Sequence, residues 1–155
     1  MRKRVFFTLI VLVFFGATTA VHSLGLGLSF GGRGDFGPGY GSNAMLSLKL
    51  DSQDFILGLG ASGDGDNFGL AATADWWLVN ENLTGMLNYY VGPGGYLGIS
   101  TGHIDAGLRI PVGLNIYPID PLELFLEVAP AMGIDSDFNF PTFGWQTALG
   151  FRFWF

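Results

Sequence analysis

Six charged side chains sit inside otherwise apolar or small-residue stretches. They are Lys49 in "AMLSLKL", Asp75 in "LAATADWW", Arg109 in "AGLRIPVG", Glu123 and Glu127 in "LELFLEVAP", and Arg152 in "GFRFWF". Acids and bases placed this way make ion pairs, because a charge taken out of water must be paired or hydrated. Two uses follow. The set can form a structural network that fills an interior, or it can act as a gate or selectivity filter in a narrow pore. A second feature is Arg33-Gly34-Asp35 within "GGRGDFGPGYGSN". On an extracellular loop this tripeptide could engage an integrin-type receptor, although Gly and Asp are also ordinary loop chemistry. "STGHID" brings Ser100, His103 and Asp105 close in sequence, the residue types of a lipid-modifying hydrolase or transferase. Nearness in sequence does not make a triad, and no G-x-S-x-G motif is present, so no catalytic residue is assigned. Asp64, Asp66 and Asn67 in "GDGDNFG" resemble calcium ligands but lack the spaced Glu of a calcium loop, and read as a turn. Neither a metal cluster nor a phosphate loop is found, so no cofactor is expected.

The elements that carry the six charges share a period of two. Counting back from Phe155, the odd positions Phe153, Phe151, Leu149, Thr147, Trp145 and Phe143 are bulky. The even ones, Trp154, Arg152, Gly150, Ala148 and Gln146, are mostly small or polar. Such alternation marks a strand with different surroundings on its two faces. It recurs in residues 24–30, 44–50, 55–62, 68–79, 87–100, 106–117 and 122–130, which makes eight strands. By parity Lys49, Asp75, Arg109, Glu123, Glu127 and Arg152 share the small, polar face. Between strands lie Gly/Asp/Asn/Ser-rich loops at 31–43, 63–67, 101–105 and 133–142, alternating with tighter turns at 51–54, 80–85 and 118–121. "NLT" at 82–84 falls in one of those turns.

Composition narrows the class. Charged residues are only 13% of the 155 residues, too few to coat a soluble domain, where roughly 25% is usual. Glycine, at 25 residues, argues against membrane helices, which it weakens. The start, "MRKRVFFTLIVLVFFGATTA", has a basic beginning, a short apolar run and small residues, the layout of a secretory signal peptide. Cleavage is expected after Ala20, with Ser23 also permissible. What remains holds four basic residues, Arg33, Lys49, Arg109 and Arg152, against 13 acidic ones, a poor balance for nucleic-acid binding. There is no cysteine, hence no disulfide.

A signal peptide and eight amphipathic strands imply an all-β fold: an eight-stranded antiparallel up-and-down transmembrane β-barrel over residues 24–155, in the bacterial outer membrane. Closure leaves no unpaired backbone edge in lipid. Eight strands enclose a space only just wide enough for side chains, so inward positions such as Gly58, Gly92, Gly107 and Gly150 must stay small. Trp76, Trp77, Tyr89, Tyr117 and Trp154 fall near strand ends and are expected in interfacial girdles. The competing architecture, a soluble β-sandwich, would carry Lys, Glu and Thr on its outer faces, whereas the faces opposite the bulky residues are here mostly Gly and Ala.

The aromatic-rich ending "GFRFWF" resembles the C-terminal insertion signal of outer-membrane barrels, with Phe151, Phe153 and Phe155 in the alternating positions. With "YVGPGGYLGI" and "GLRIPVGLNIYPIDPLELFLEVAPAMGI", nearly the whole chain after residue 23 resembles small barrels of the OmpA/OmpX type, including uncharacterised barrels of spirochaete-like groups. The resemblance implies outer-membrane lipid and the barrel-insertion machinery as partners, with an extracellular protein ligand at the loops. No peptidoglycan-binding segment is seen in these residues, so that part of the OmpA role is not carried over. The expected function is a non-enzymatic barrel with a filled lumen and a structural or surface-interaction role. A narrow pore and a lipid-modifying enzyme are the alternatives.

Overall fold

A computed structural model describes residues 24–34, 43–50, 54–64, 67–138 and 140–155. The signal peptide expected at 1–20 and its cleavage site lie outside these residues. Eleven strands run in order: β1 (Leu24–Gly34), β2 (Asn43–Leu50), β3 (Phe55–Asp64), β4 (Asn67–Trp76), β5 (Val79–Thr84), β6 (Leu87–Val91), β7 (Gly94–Ser100), β8 (His103–Arg109), β9 (Val112–Ile119), β10 (Leu122–Ile134) and β11 (Thr142–Trp154). All pairings are antiparallel. β11 pairs with both β1 and β10, which closes the sheet on itself.

The eleven strands make eight staves, because three staves are interrupted. Pro93 separates β6 from β7 and Pro111 separates β8 from β9, since proline has no N–H to give the ladder. The carbonyls at these breaks still accept. Trp76 N donates to Pro93 O at 2.9 Å and Gly92 N to Pro111 O at 3.2 Å. Between β4 and β5 the Trp77–Leu78 step is a bulge that resets the side-chain alternation. Trp76 and Leu78 are exposed and Trp77 is buried, yet Asn80 then pairs with the inward Tyr90.

Register fixes the tilt. Pairing links Gly25 to Lys49, Ile56, Asp75, Gly94, Arg109, Ala131 and Gly144 around the wall. Gly34 faces Trp145, one step from Gly144, so the path closes ten residues beyond Gly25. A stagger of that size over eight staves inclines the strands by about 40°.

Burial is inverted relative to a soluble domain. Among the described residues, ten buried side chains are polar or charged and eight, Pro111 included, are apolar, while Leu28, Leu59, Leu70, Leu108, Leu126 and Leu149 are exposed on the outer wall. A sandwich would bury those leucines between two sheets, so that architecture is excluded. Among the described residues no helix is long and apolar enough to cross a membrane.

Two connections differ from expectation. Residues 80–85 are mostly strand, with the turn confined to Gly85–Met86. The Asn82 carboxamide donates to Gly85 O at 2.8 Å and Asn88 Oδ1 at 2.9 Å, which holds a polar, non-alternating stretch as the end of a hairpin. Residues 103–105 are likewise strand, with the turn only at Thr101–Gly102; Gly102 supplies φ +81°. A closed barrel resists detergent while folded, so the refolded protein should change gel mobility when boiled. Equal mobility before and after boiling would contradict closure.

Candidate functional site

The barrel interior gathers the chemistry. Three bases, Lys49, Arg109 and Arg152, and three acids, Asp75, Glu123 and Glu127, are all buried within it. The wall positions them by alternation: each has apolar, outward-facing neighbours before and after it in its strand.

Arg109 is the hub of one group. Its Nε lies 3.0 Å from Asp75 Oδ1, an ion pair without hydrogen-bond alignment. Its Nη1 donates to Gln146 Oε1 at 2.6 Å and its Nη2 to Glu127 Oε1. Glu127 also accepts from the Tyr90 hydroxyl at 2.9 Å. Arg152 is the hub of the second group. It donates to Glu123 Oε1 and to Ser47 Oγ, both at 2.9 Å, and its guanidinium lies 4.0 Å from the Phe125 ring centre. Glu123, fully buried, accepts from Asn115 Nδ2 and Trp154 Nε1 at 3.0 Å each. An aromatic pair joins the groups: Trp77 stacks on Tyr90 at 3.7 Å, and Lys49 Nζ lies 4.0 Å above the Trp77 ring.

A geometric rule places these partners. Asp75 pairs in register with Gly94, and Gly94 with Arg109. Tyr90 pairs with Gly113, and Gly113 with Glu127. Ser47 pairs with Gly27, and Gly27 with Arg152. Each polar pair thus spans one intervening strand across a glycine. A Cβ at Gly94 would meet the Asp75 carboxylate, and one at Gly113 would meet the Tyr90 ring. At Gly27 a Cβ would meet the Phe151–Arg152 backbone, whereas Gly94 and Gly113 are empty because their neighbours' side chains lie over them. Phe125 covers Gly150 and Tyr96 covers Gly107 in the same way.

Trp77 and Trp154 are therefore not girdle residues. Trp77 is 1% exposed, and its indole stacks inside, where its shared parity with Asp75 was the available signal. Trp76 and Tyr117 are exposed. Tyr90, Tyr96 and Phe125 complete the interior, and their inward parity was visible without indicating that they fill it. Above Arg109 a void of about 50 Å³ remains, lined by Ser29, Met45, Thr73 and Ala148 among others, room for only a few waters.

The other singled-out residues lie apart. His103 Nδ1 is 3.2 Å from Ser136 Oγ in the β10–β11 connection, while Ser100 faces His103 across the β7–β8 turn. Among the described residues no group of His, Asp and Glu could hold a metal. Asp64 and Asn67 face each other where β3 meets β4, and Asp66 lies outside the described residues. Arg33 and Gly34 end β1, and Asp35 lies outside the described residues. In β11, Phe151 and Phe153 meet edge to face at 5.9 Å on the outer wall, and Phe155 exchanges backbone hydrogen bonds with Leu24.

In structure the chain is similar to Neisserial surface protein A (NspA), with a TM-score of 0.51 and 12% identity over 86% of this chain and 96% of that one. The fold is that of a small outer-membrane β-barrel. Ail, the attachment invasion locus protein of Yersinia pestis, aligns over the same shares with a TM-score of 0.45 and 13% identity. No protein-family model and no curated protein matches the sequence.

Adjacent glycines test the spanning rule. Gly94→Val should force the Asp75 carboxylate off Arg109 and cost about 3 kcal/mol or more, as for a broken buried pair. Gly95→Val, on the outer wall with only Gly107 O at 3.6 Å near its Cβ, should change stability by no more than about 0.5 kcal/mol. Urea titration of the refolded variants, followed by tryptophan fluorescence, reads both; equal costs would contradict the rule.

Proposed function

We propose that the protein is a non-enzymatic integral barrel of the bacterial outer membrane with a filled lumen, serving a structural or surface-interaction role through its loops. The observation that carries this reading is the charge-balanced interior, in which Arg109 is held by Asp75 and Glu127, and Arg152 by Glu123 and against the Phe125 ring. A conducting pore needs a continuous wet path, and the space above Arg109 holds only a few waters.

The location is supported by the outer wall. Leucine, isoleucine, valine and aromatic side chains face outward around it, and lipid is the solvent in which such a wall is stable. The ends of β1 and β2, β3 and β4, β7 and β8, and β10 and β11 that follow one another in the chain share one rim, which is extracellular if the start of β1 is periplasmic. A protein ligand would meet that rim, where Arg33-Gly34-Asp35 is one candidate contact. Phe151, Phe153 and Phe155 are the residues we assign to recognition by the insertion machinery.

Planar-bilayer recording tests the filled lumen. Wild-type protein should show no resolved single-channel steps. Glu127→Ala should strip Arg109 and Tyr90 of a shared acceptor, lower the unfolding midpoint, and leave conductance near zero. A clear rise in current for that variant would make the cluster a gate and overturn the proposal.

A further inference from the structure

The closed ring accounts for every stave except one edge. The β3–β4 ladder ends at the Phe55–Trp76 pair, and the last bond on that side is Trp77 N donating to Asp54 O at 2.6 Å. Beyond it, β5 continues for six residues paired only with β6. Among the described residues no strand lies on its other side. Every second residue there turns its N–H and C=O outward, a row of groups that another strand can complete.

We propose that this free edge of β5 takes up an extended, basic segment of a partner protein by strand addition. The geometry selects an extended backbone, because only a strand answers a row of strand groups. Charge selects its side chains. Glu81 sits in β5, Asp54 at its upper end and Asp120 on a turn of the same rim, all exposed. The described lysine and arginine side chains, Lys49, Arg109 and Arg152, are all buried in the lumen. The edge therefore presents anionic charge with no described cation to neutralise it, which attracts a basic chain. A second copy would bring a second anionic edge, with its own Glu81, against this one, so self-pairing is disfavoured.

The hairpin is also preorganised. Asn82 ties its turn, and the Tyr89 hydroxyl donates to Glu81 Oε2 at 3.1 Å. Little ordering is left to occur on binding. Val79–Thr84 contains neither proline nor lysine, the residues that commonly blunt an edge. Leu83 and Met86 are exposed beside it, so apolar residues alternating with the basic ones would find contacts. The compartment, periplasmic in the orientation proposed above, rests on that reading; the edge and its charge do not.

The test uses the full refolded chain in zwitterionic micelles and an end-blocked peptide of alternating lysine and valine. Saturable binding should shift the backbone amide resonances of β5 and spare those of β2 and β11. Glu81→Lys, an exposed change checked for retained heat-modifiable mobility, should weaken binding about tenfold. The same peptide with alternate backbone nitrogens methylated keeps its charge but cannot pair, and should not bind. Equal binding of the methylated peptide, equal binding by Glu81→Lys, absence of binding, or a β5-mediated dimer without peptide would each overturn the proposal. Channel activity would instead strike at the filled-lumen reading and leave this one standing.

Discussion

Charge neutrality inside a narrow tube is the condition on which the rest of the structure depends. Lys49, Arg109 and Arg152 share that space with Asp75, Glu123 and Glu127. At low dielectric an unpaired member would cost several kcal/mol, so each must find partners within side-chain reach. That requirement explains why the interior is laid out across strands. The stagger of ten residues brings Asp75 level with Arg109 and Tyr90 level with Glu127, and glycine on the intervening strand clears the path. The abundance of glycine is thus largely a consequence of the charges and rings that it accommodates.

The same arrangement sets what the molecule can do. Its bulky apolar residues face outward, where they contribute little to a conventional core, and the interior is held by ion pairs, hydrogen bonds and aromatic stacking. Removing one member leaves others buried and unsatisfied, so the network is cooperative. A tube filled in this way is a rigid support. The recognition we propose falls to the parts outside the closed wall: the strand ends of one rim, and the edge of β5 at the other.

Much of this was legible from alternation alone. Residues 143–155 and 87–99 read directly as strands because one face is largely bulky and apolar and the alternation holds without a slip. Parity sorts Arg109, Glu123, Glu127 and Arg152 onto the opposite face. Which acid meets which base is not legible that way, because it depends on the stagger between strands distant in sequence. Arg152 meets Glu123, its direct cross-strand neighbour, while Glu127 is taken by Arg109. Residues 80–85 read as turn because most of their side chains are polar and they do not alternate; backbone pairing with β6 and the Asn82 carboxamide decide otherwise. Trp77 reads as a boundary residue because it stands near the end of the alternating stretch 68–79, yet it shares parity with the buried Asp75 and its indole lies in the lumen. Alternation reads through Pro93 and Pro111 as two continuous strands, whereas each proline interrupts the strand there and carbonyl acceptors carry the ladder across.

Energetic coupling between Glu123 and Arg152 tests the central claim most directly. A double-mutant cycle with Glu123→Gln and Arg152→Met, each measured by urea unfolding of the refolded barrel, isolates their interaction. An interior held by obligatory pairing predicts that the double variant loses less than the sum of the singles, with a coupling of about 1–3 kcal/mol. Additive losses would mean that the lumen charges are stabilised independently, and would contradict the account.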